Sequence, residues 1–358
     1  DEKAQSLFLA RDRFGVKPLF YSVTGGSLVF ASELKALLKD PRIKPVLKTP
    51  GLSEIFTLSP ARTPGHGIYE NVAEVKPAHS ILFNADGIKD TRYWSLVSEP
   101  HPDSPSETAD KVAWWVRDAI KRQLISDVPL CAFLSGGLDS SIITAVSSEE
   151  FASSDKGRLH TYSIDYADND KYFRSSLFQP DSDAPYIKRM AEEFGTNHHF
   201  VTFDTPELVP ALRDAVLARD LPGMADIDAS LLLFCREVKK QATVALSGEC
   251  ADEIFGGYPW FHKEEFFKAS TFPWARSLDV RLKVLSPELL EAVDPYEYVR
   301  RRYEETLMEV PRLYGETPAE ARRREIFYLN ITWFMSTLLE RKDRMSMANG
   351  LEVRVPYC

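Results

Sequence analysis

This 358-residue chain is short of several things that would assign it quickly. Cysteine occurs four times, as Cys131, Cys235, Cys250 and Cys358, with no Cys-X-X-Cys pair and no metal-ligand spacing. A zinc ribbon and a dithiol redox motif are therefore excluded. Three of the four lie in apolar surroundings, which suits buried thiols in a reducing cytoplasm. No apolar run approaches the roughly 18 residues of a membrane-spanning helix, so no membrane partner is expected. Positive charge is in deficit, with 44 Lys and Arg against 53 Asp and Glu and a formal charge of -9. That balance argues against a nucleic-acid footprint. The basic runs 300–302 and 322–324 stand beside glutamates on expected helices and read as solvated faces. No internal repeat is found.

Hydrophobic residues make up 44% of the chain, ordinary for a globular protein, and its length allows two domains with real cores. The chain starts at Asp1 without Met and stops at Cys358, directly after Val-Pro-Tyr. Both ends read as cuts through a larger protein, so the lack of a signal peptide carries no information.

Residues 1–97 are β-rich. Strands are expected over 6–10, 19–23 and 27–31, the last two joined across Thr24-Gly25-Gly26. A second hairpin is expected between 80–83 and 91–94, around Asn84-Ala85-Asp86-Gly87. Short helices are expected over 33–38 and 52–58. Residues 98–106, polar and proline-rich, read as a linker. From 107 to 358 helices and strands alternate. The helix 108–125 carries Val112, Trp115, Val116, Ala119 and Ile120 on one face. Strands are expected at 128–134, 160–165, 199–203 and 243–246, with helices at 140–151, 184–194, 206–219 and 229–240. Residues 260–345 read as mostly helical. This α/β alternation implies a parallel, doubly wound sheet with ligands at the carboxyl ends of its strands.

One such end carries Phe133-Leu134-Ser135-Gly136-Gly137-Leu138-Asp139-Ser140-Ser141. Glycines let backbone approach an anion, and the free N–H groups at a helix start point toward it. The Gly-Lys-Ser/Thr ending of a Walker loop is missing. The segment resembles the SGGxDS loop of the ATP pyrophosphatases, which cleave ATP to AMP and pyrophosphate. Asp139 would repel phosphate without an intervening cation, which implies Mg²⁺. Taken singly, SGG could equally be an ordinary turn.

A second expected strand end carries Ser247-Gly248-Glu249-Cys250-Ala251-Asp252-Glu253, with Gly256-Gly257-Tyr258 after it. Three carboxylates within five residues need a cation or a substrate to relieve their repulsion. By itself the segment could also be an acidic helix start. These two motifs, with the segment from Arg344 to Pro356 downstream, resemble the glutamine-dependent asparagine synthetases over essentially the whole chain. Arg11-Asp12-Arg13-Phe14-Gly15-Val16-Lys17-Pro18-Leu19 is similar to the RDxxGxxPL element of class II glutamine amidotransferase domains, and Ala31 to Ala36 is similar to the ASExKA element next in those domains.

The resemblance implies a parallel ATP-pyrophosphatase sheet with a helical C-terminal region, preceded by the C-terminal part of an αββα glutaminase of the N-terminal-nucleophile type. It implies that glutamine is hydrolysed and that its ammonia reaches a carboxylate, favoured to be that of aspartate, activated by ATP as an acyl-adenylate. A carboxylate does not react with ammonia at neutral pH until its oxygen becomes a good leaving group. Carried over by position, Ser135, Gly136, Gly137, Asp139, Ser140 and Ser141 would hold the pyrophosphate end, and Asp139 and Asp252 would bind Mg²⁺. The nucleoside would lie near Phe133, Ile164, Ser247 and Gly248. Glu249 would serve adenylate formation and proton transfer from ammonia. Arg344 would supply positive charge near the phosphates. Asp12 would hold the glutamine amino group. The implied compartment is the cytoplasm, and a homodimer is among the open assembly states.

The chain departs from the family in two places. The nucleophilic N-terminal cysteine is missing, which the cut start explains; the chain as it stands could use ammonia but not glutamine. Where aspartate-amidating relatives carry Thr and Arg before the SGE motif, this chain has Leu221 to Ser230, with Asp226 and Asp228. These aspartates would suit an acceptor bearing an ammonium group, such as meso-diaminopimelate. Asp228 could instead cap a helix starting at Ala229. Ring closure, as in β-lactam synthetases, and a catalytically inactive scaffold are the remaining alternatives. His198-His199 reads as structural, Cys250 as packing, and Tyr258, Trp260, Phe261, Phe266 and Phe267 as core or tunnel wall.

Overall fold

Alternating buried and exposed positions build the first hundred residues into two small antiparallel sheets, as seen in a computed structural model that describes residues 1–154, 156–176 and 181–358. The side chain of Asp226 also lies outside the described set. The chain divides into two compact units: residues 1–100, 220–223 and 260–340 form the first, and residues 101–219, 224–259 and 341–358 the second.

In the first unit the strands are β1 (Leu7–Ala10), β2 (Phe20–Thr24), β3 (Ser27–Ala31), β4 (Ala73–Glu74), β5 (His79–Asn84) and β6 (Gly87–Arg92). They form the sheets β1-β5-β6 and β3-β2-β4. Both expected hairpins are present, with Thr24 facing Ser27 and Asn84 facing Gly87. The last strand begins at Gly87 and not at 91, because the two-residue turn pairs its strands without delay. The helical residues of this unit include Pro295–Met308 and Pro318–Leu329, the latter started by a reciprocal Thr317–Glu320 capping box. Phe272, Tyr298, Tyr303, Leu329 and Trp333 pack together as one of its cores.

Buried charge is concentrated in this unit. Arg62 lies between Glu74 (2.9 Å) and Glu340 (3.1 Å), and Glu74 also meets Arg11 at 2.9 Å. All four side chains are less than a tenth exposed. Burial alone would lower the Arg62 pKa, but Glu340 and Glu74 more than reverse this.

The second unit holds β7 (Leu130–Phe133), β8 (His160–Tyr166), β9 (Asn197–Phe203), β10 (Val244–Leu246) and β11 (Glu352–Arg354), all parallel, in the order β11-β10-β7-β8-β9. Every residue of β10 is buried, as expected of a strand covered on both faces. The chain runs from β7 outward to β8 and β9, then returns to lay β10 on the other side of β7. The switch point of the sheet is therefore between β7 and β10, the position where doubly wound sheets bind ligands. β11 was not legible in the sequence; three residues form it only because β10 offers a parallel partner.

Two helices of the second unit start three or four residues before expectation. The first begins at Pro105, inside the stretch read as linker, because Ser104 and Glu107 cap each other reciprocally. Of its expected apolar face only Ile120 is fully buried, and Trp115 is exposed. The other begins at Ala225 instead of Ala229. Among the described residues no helix is long and apolar enough to cross a membrane.

Removing the central cation would take a buried partner from each of two carboxylates, Glu74 keeping Arg11. Arg62→Met is expected to cost about 3–5 kcal/mol of unfolding free energy, measured by urea denaturation. Arg62→Lys, which keeps the charge, should cost less; equal losses would show that the charge itself is not what matters.

Candidate active site

The loops leaving β7 and β10 meet at the carboxyl end of the parallel sheet. After Phe133 the chain turns through Ser135-Gly136-Gly137 into the helix Leu138–Ser153. Gly136 has φ +80°, and a Cβ there would lie 2.7 Å from Cβ of Tyr186. Only glycine fits. The Ser140 hydroxyl accepts from the Ser135 amide (3.1 Å), donates to the Gly137 carbonyl (3.2 Å) and lies 3.0 Å from the Ser135 hydroxyl. It thus braces the turn from inside. Ser141 closes the first helical turn, its amide donating to Gly137. Phe133 and Ile164 belong to the same apolar cluster under this end of the sheet.

The second loop crosses close behind the first. A Cβ on Gly248 would lie 3.2 Å from Cβ of Asp139 and 3.4 Å from the Ser140 amide nitrogen. Gly257 has an equally specific role, because a Cβ there would strike the Asp252 carboxylate at 1.8 Å. Burial and the charge of Asp252 raise the Asp139 pKa to about 6, and burial raises that of Asp252. Two carboxylates with raised pKa values, one of them raised partly by the charge of the other, provide hard oxygen donors that suit a divalent cation such as Mg²⁺. Among the described residues no three His, Cys, Asp or Glu side chains are grouped to hold a metal ion. Phosphate oxygens would have to complete such a shell.

Glu249 is in the opposite electrostatic state. Burial would raise its pKa, yet Lys342, Arg341 and the Ser247 hydroxyl hold it below the usual carboxylate range. Lys342 Nζ stands 2.7 Å from Glu249 Oε1, Arg341 3.9 Å from the same oxygen, and Ser247 donates to Oε2. Glu253, next along, is raised by burial and accepts a 2.6 Å hydrogen bond from Tyr258. Neighbouring carboxyl groups held in different protonation tendencies are the arrangement that acid–base chemistry uses.

Residues 111–358 match the asparagine synthase family, and residues 1–94 match the glutamine amidotransferase domain. The chain belongs to the asparagine synthase family. Across its whole length it is 55% identical, over 357 residues, to a protein named asparagine synthetase [glutamine-hydrolyzing] 3 of Bacillus subtilis (strain 168), and it spans 58% of that relative. It is 29% identical over 389 residues to asparagine synthetase [glutamine-hydrolyzing] 1 of the same strain, covering 98% of this chain and 58% of the relative. Against asparagine synthetase B [glutamine-hydrolyzing] of Escherichia coli (strain K12) it is 30% identical over 277 residues, covering 74% of this chain and 43% of the relative. The chain therefore spans between 43% and 58% of the length of these curated relatives.

The remaining expected residues of this asparagine synthase family chain are spread over both units. Arg344 is 3% exposed, on the helix Ser336–Met347 that also carries Arg341 and Lys342. Asp228 is 2% exposed; it accepts from the Met224 amide at 2.9 Å and lies 3.4 Å from Arg219. It closes the start of its helix and has a cation of its own. Asp12, in the first unit, accepts from the amides of Phe14 (3.2 Å), Val16 (2.9 Å) and Lys17 (3.0 Å). Its carboxylate shapes the turn that carries it. His198 bonds the hydroxyls of Thr161 and Ser163, and burial lowers its pKa to about 4, in keeping with a structural role.

Cys250 requires a correction. The sequence suggests a packed thiol in a reducing compartment, but Cys250 is joined to Cys358 by a disulfide. Cys250 sits at φ +79° at the start of the short helix Ala251–Phe255, and Tyr357, beside Cys358, donates to the Asp139 carbonyl at 3.0 Å. The last residues of the chain are thus fastened to both loops. Only Cys131 and Cys235 are free, both buried. Sequence spacing held no sign of this pair or of the Lys342–Glu249 contact, because each joins residues that only the sheet brings together.

The unfolded 358-residue chain, in guanidinium without reductant, should release two titratable thiols, and four after reduction. Four without reductant would remove the disulfide.

Proposed function

We propose that the full-length protein makes asparagine from aspartate, consuming ATP and drawing ammonia from glutamine. The observation that carries this reading is the packing of the Ser135–Ser141 loop against the Ser247–Glu253 loop through Gly248. It brings the glycine-rich loop, Asp139, Asp252 and Glu249 to one end of the sheet, which supports a shared site. The names of the curated relatives support the amide product and the glutamine donor.

On this reading the residue ranges have separate tasks: 1–97 contribute to the glutaminase, 98–106 connect, and 107–358 form the synthetase. The amides and hydroxyls of Ser135, Gly136, Gly137, Ser140 and Ser141 hold the outer phosphates of ATP, and the backbone near Phe133, Ile164, Ser247 and Gly248 takes the nucleoside. Asp139 and Asp252 hold Mg²⁺, whose charge would offset that of the departing pyrophosphate. The aspartate side-chain carboxylate attacks the α-phosphorus and pyrophosphate leaves. Ammonia then attacks the acyl carbon, AMP leaves, and Glu249 takes the surplus proton. Arg344 adds fixed positive charge, and Asp12 meets the glutamine amino group in the glutaminase. Aspartate is preferred over a diamino acid because Asp228 is already neutralised by Arg219 and has little charge left for a substrate ammonium. The cytoplasm, where ATP and aspartate are supplied, is the compartment this reaction requires.

The test is ammonia-driven pyrophosphate release by the full-length protein with ATP and Mg²⁺. Release with L-aspartate, with asparagine as product, is the expected result; release only with meso-diaminopimelate would replace the acceptor. Asp139→Asn should lower pyrophosphate release by about 10²-fold or more while glutamine hydrolysis continues. Parallel loss of both activities would mean a folding defect and not a lost metal ligand.

A further inference from the structure

The proposed chemistry asks Glu249 to be unprotonated before ammonia arrives, although it is almost withdrawn from water. Its own loop provides only the Ser247 hydroxyl. The cations come from a distant part of the chain, the helix Ser336–Met347. We propose that Lys342 is the positioning residue for Glu249, supplying the positive charge that fixes its carboxylate in the site. This rests on the reading of Glu249 as the proton acceptor.

Three observations carry it. The Nζ–Oε1 contact is 2.7 Å, with the lysine side chain 10% and the glutamate 14% exposed, so water screens the pair little. The same ammonium lies 5.1 Å from the centre of the Phe133 ring, at the end of β7, so it is held from two sides. Arg341, at 3.9 Å from the same oxygen, is too distant for a direct hydrogen bond and also reaches the Met224 sulfur at 3.6 Å. Arg341 contributes background charge; Lys342 makes the bond.

The charge of Glu249 raises the pKa values of its other titratable neighbours. Glu253 and Tyr258, from the segment just beyond it, interact with it electrostatically, and so does the buried Cys235 thiol on the helix Ala225–Lys239. None of them can replace a cation. Without Lys342, burial would push the carboxyl toward its neutral form. A protonated Glu249 cannot take the proton from ammonia.

The experiment compares Lys342→Met, Lys342→Gln and Lys342→Arg in the full-length protein. Met and Gln should lower kcat for ammonia-dependent asparagine formation by about 10²-fold at neutral pH, within the usual range of an acid–base contribution. KM for ATP should stay within about twofold, because the loss falls on proton transfer and not on ATP binding. The acidic limb of the kcat profile should move to higher pH in both variants, and Arg should restore most of the rate. A large rise in KM for ATP with an unmoved limb would overturn the proposal and make Lys342 a phosphate ligand. A second readout does not depend on turnover. Infrared spectra of the ligand-free protein, with Glu249→Gln subtracted, should show a protonated carboxyl band at a higher pH in Lys342→Gln than in wild type. Identical titration would overturn the pairing whatever reaction the enzyme performs. Wild-type protein that fails to amidate aspartate would sink the proposed function and leave this second readout decisive.

Discussion

The close approach of two strand-end loops through the bare backbone of Gly248 is the constraint on which the candidate site depends. At 3.2 Å between a would-be Cβ and that of Asp139, a side chain would press the loops apart by a few tenths of an ångström. The sheet order puts β7 and β10 side by side, and glycine lets the loops leaving them touch. Gly136 serves the same end on its far side, where the turn presses on the backbone of Tyr186 and Ile187. Every polar group of the site is placed relative to that contact. The disulfide at Cys250 and the Tyr357 hydroxyl then fasten the chain end to the same two loops.

Charge in the site is sorted into two kinds. Asp139 and Asp252 are raised, the first by burial and by its partner, the second by burial. Glu249, at least as buried, is lowered because cations from the Ser336–Met347 helix reach it. The first kind suits a bound cation; the second suits a resident base. Three carboxylates that look alike in the sequence therefore differ in their hold on a proton because different groups face them. The sheet brings Asp139 to the other two, and long-range packing separates their charge states.

The first unit uses buried charge differently. Arg11 donates to the carbonyls of Lys17, Val75 and Gly15, and Asp12 is committed to three amides. The most recognisable motif of this unit thus serves largely to hold its own turn in shape. Glu54 is similar: buried, it accepts from Thr63 and from the Tyr298 hydroxyl at 2.6 Å, tying sheet-bearing and helical segments of one unit together. Such groups are satisfied by geometry that repays their desolvation, and they specify one arrangement of the chain.

Much of this was legible in the sequence. The hairpins at Gly25-Gly26 and Asp86-Gly87, the alternation of strand and helix after residue 107, and the glycine-rich turn after Phe133 are local signals set by backbone sterics and periodicity. They fix the fold class and locate both loops. The features that the sequence could not decide need a partner far along the chain. β11 exists because β10 is beside it, the helix at Ala225 starts early because Asp228 reaches back to Met224, and Asp228 meets Arg219 nine residues away. Cys250 meets Cys358, and Glu249 meets Lys342, across separations of 108 residues and 93 residues that local pattern does not span. The sequence by itself determined which backbone turns could cradle an anion, since glycine's freedom is local. Only the tertiary structure decided which carboxylates keep their charge, since that depends on burial and on cations delivered by a distant helix.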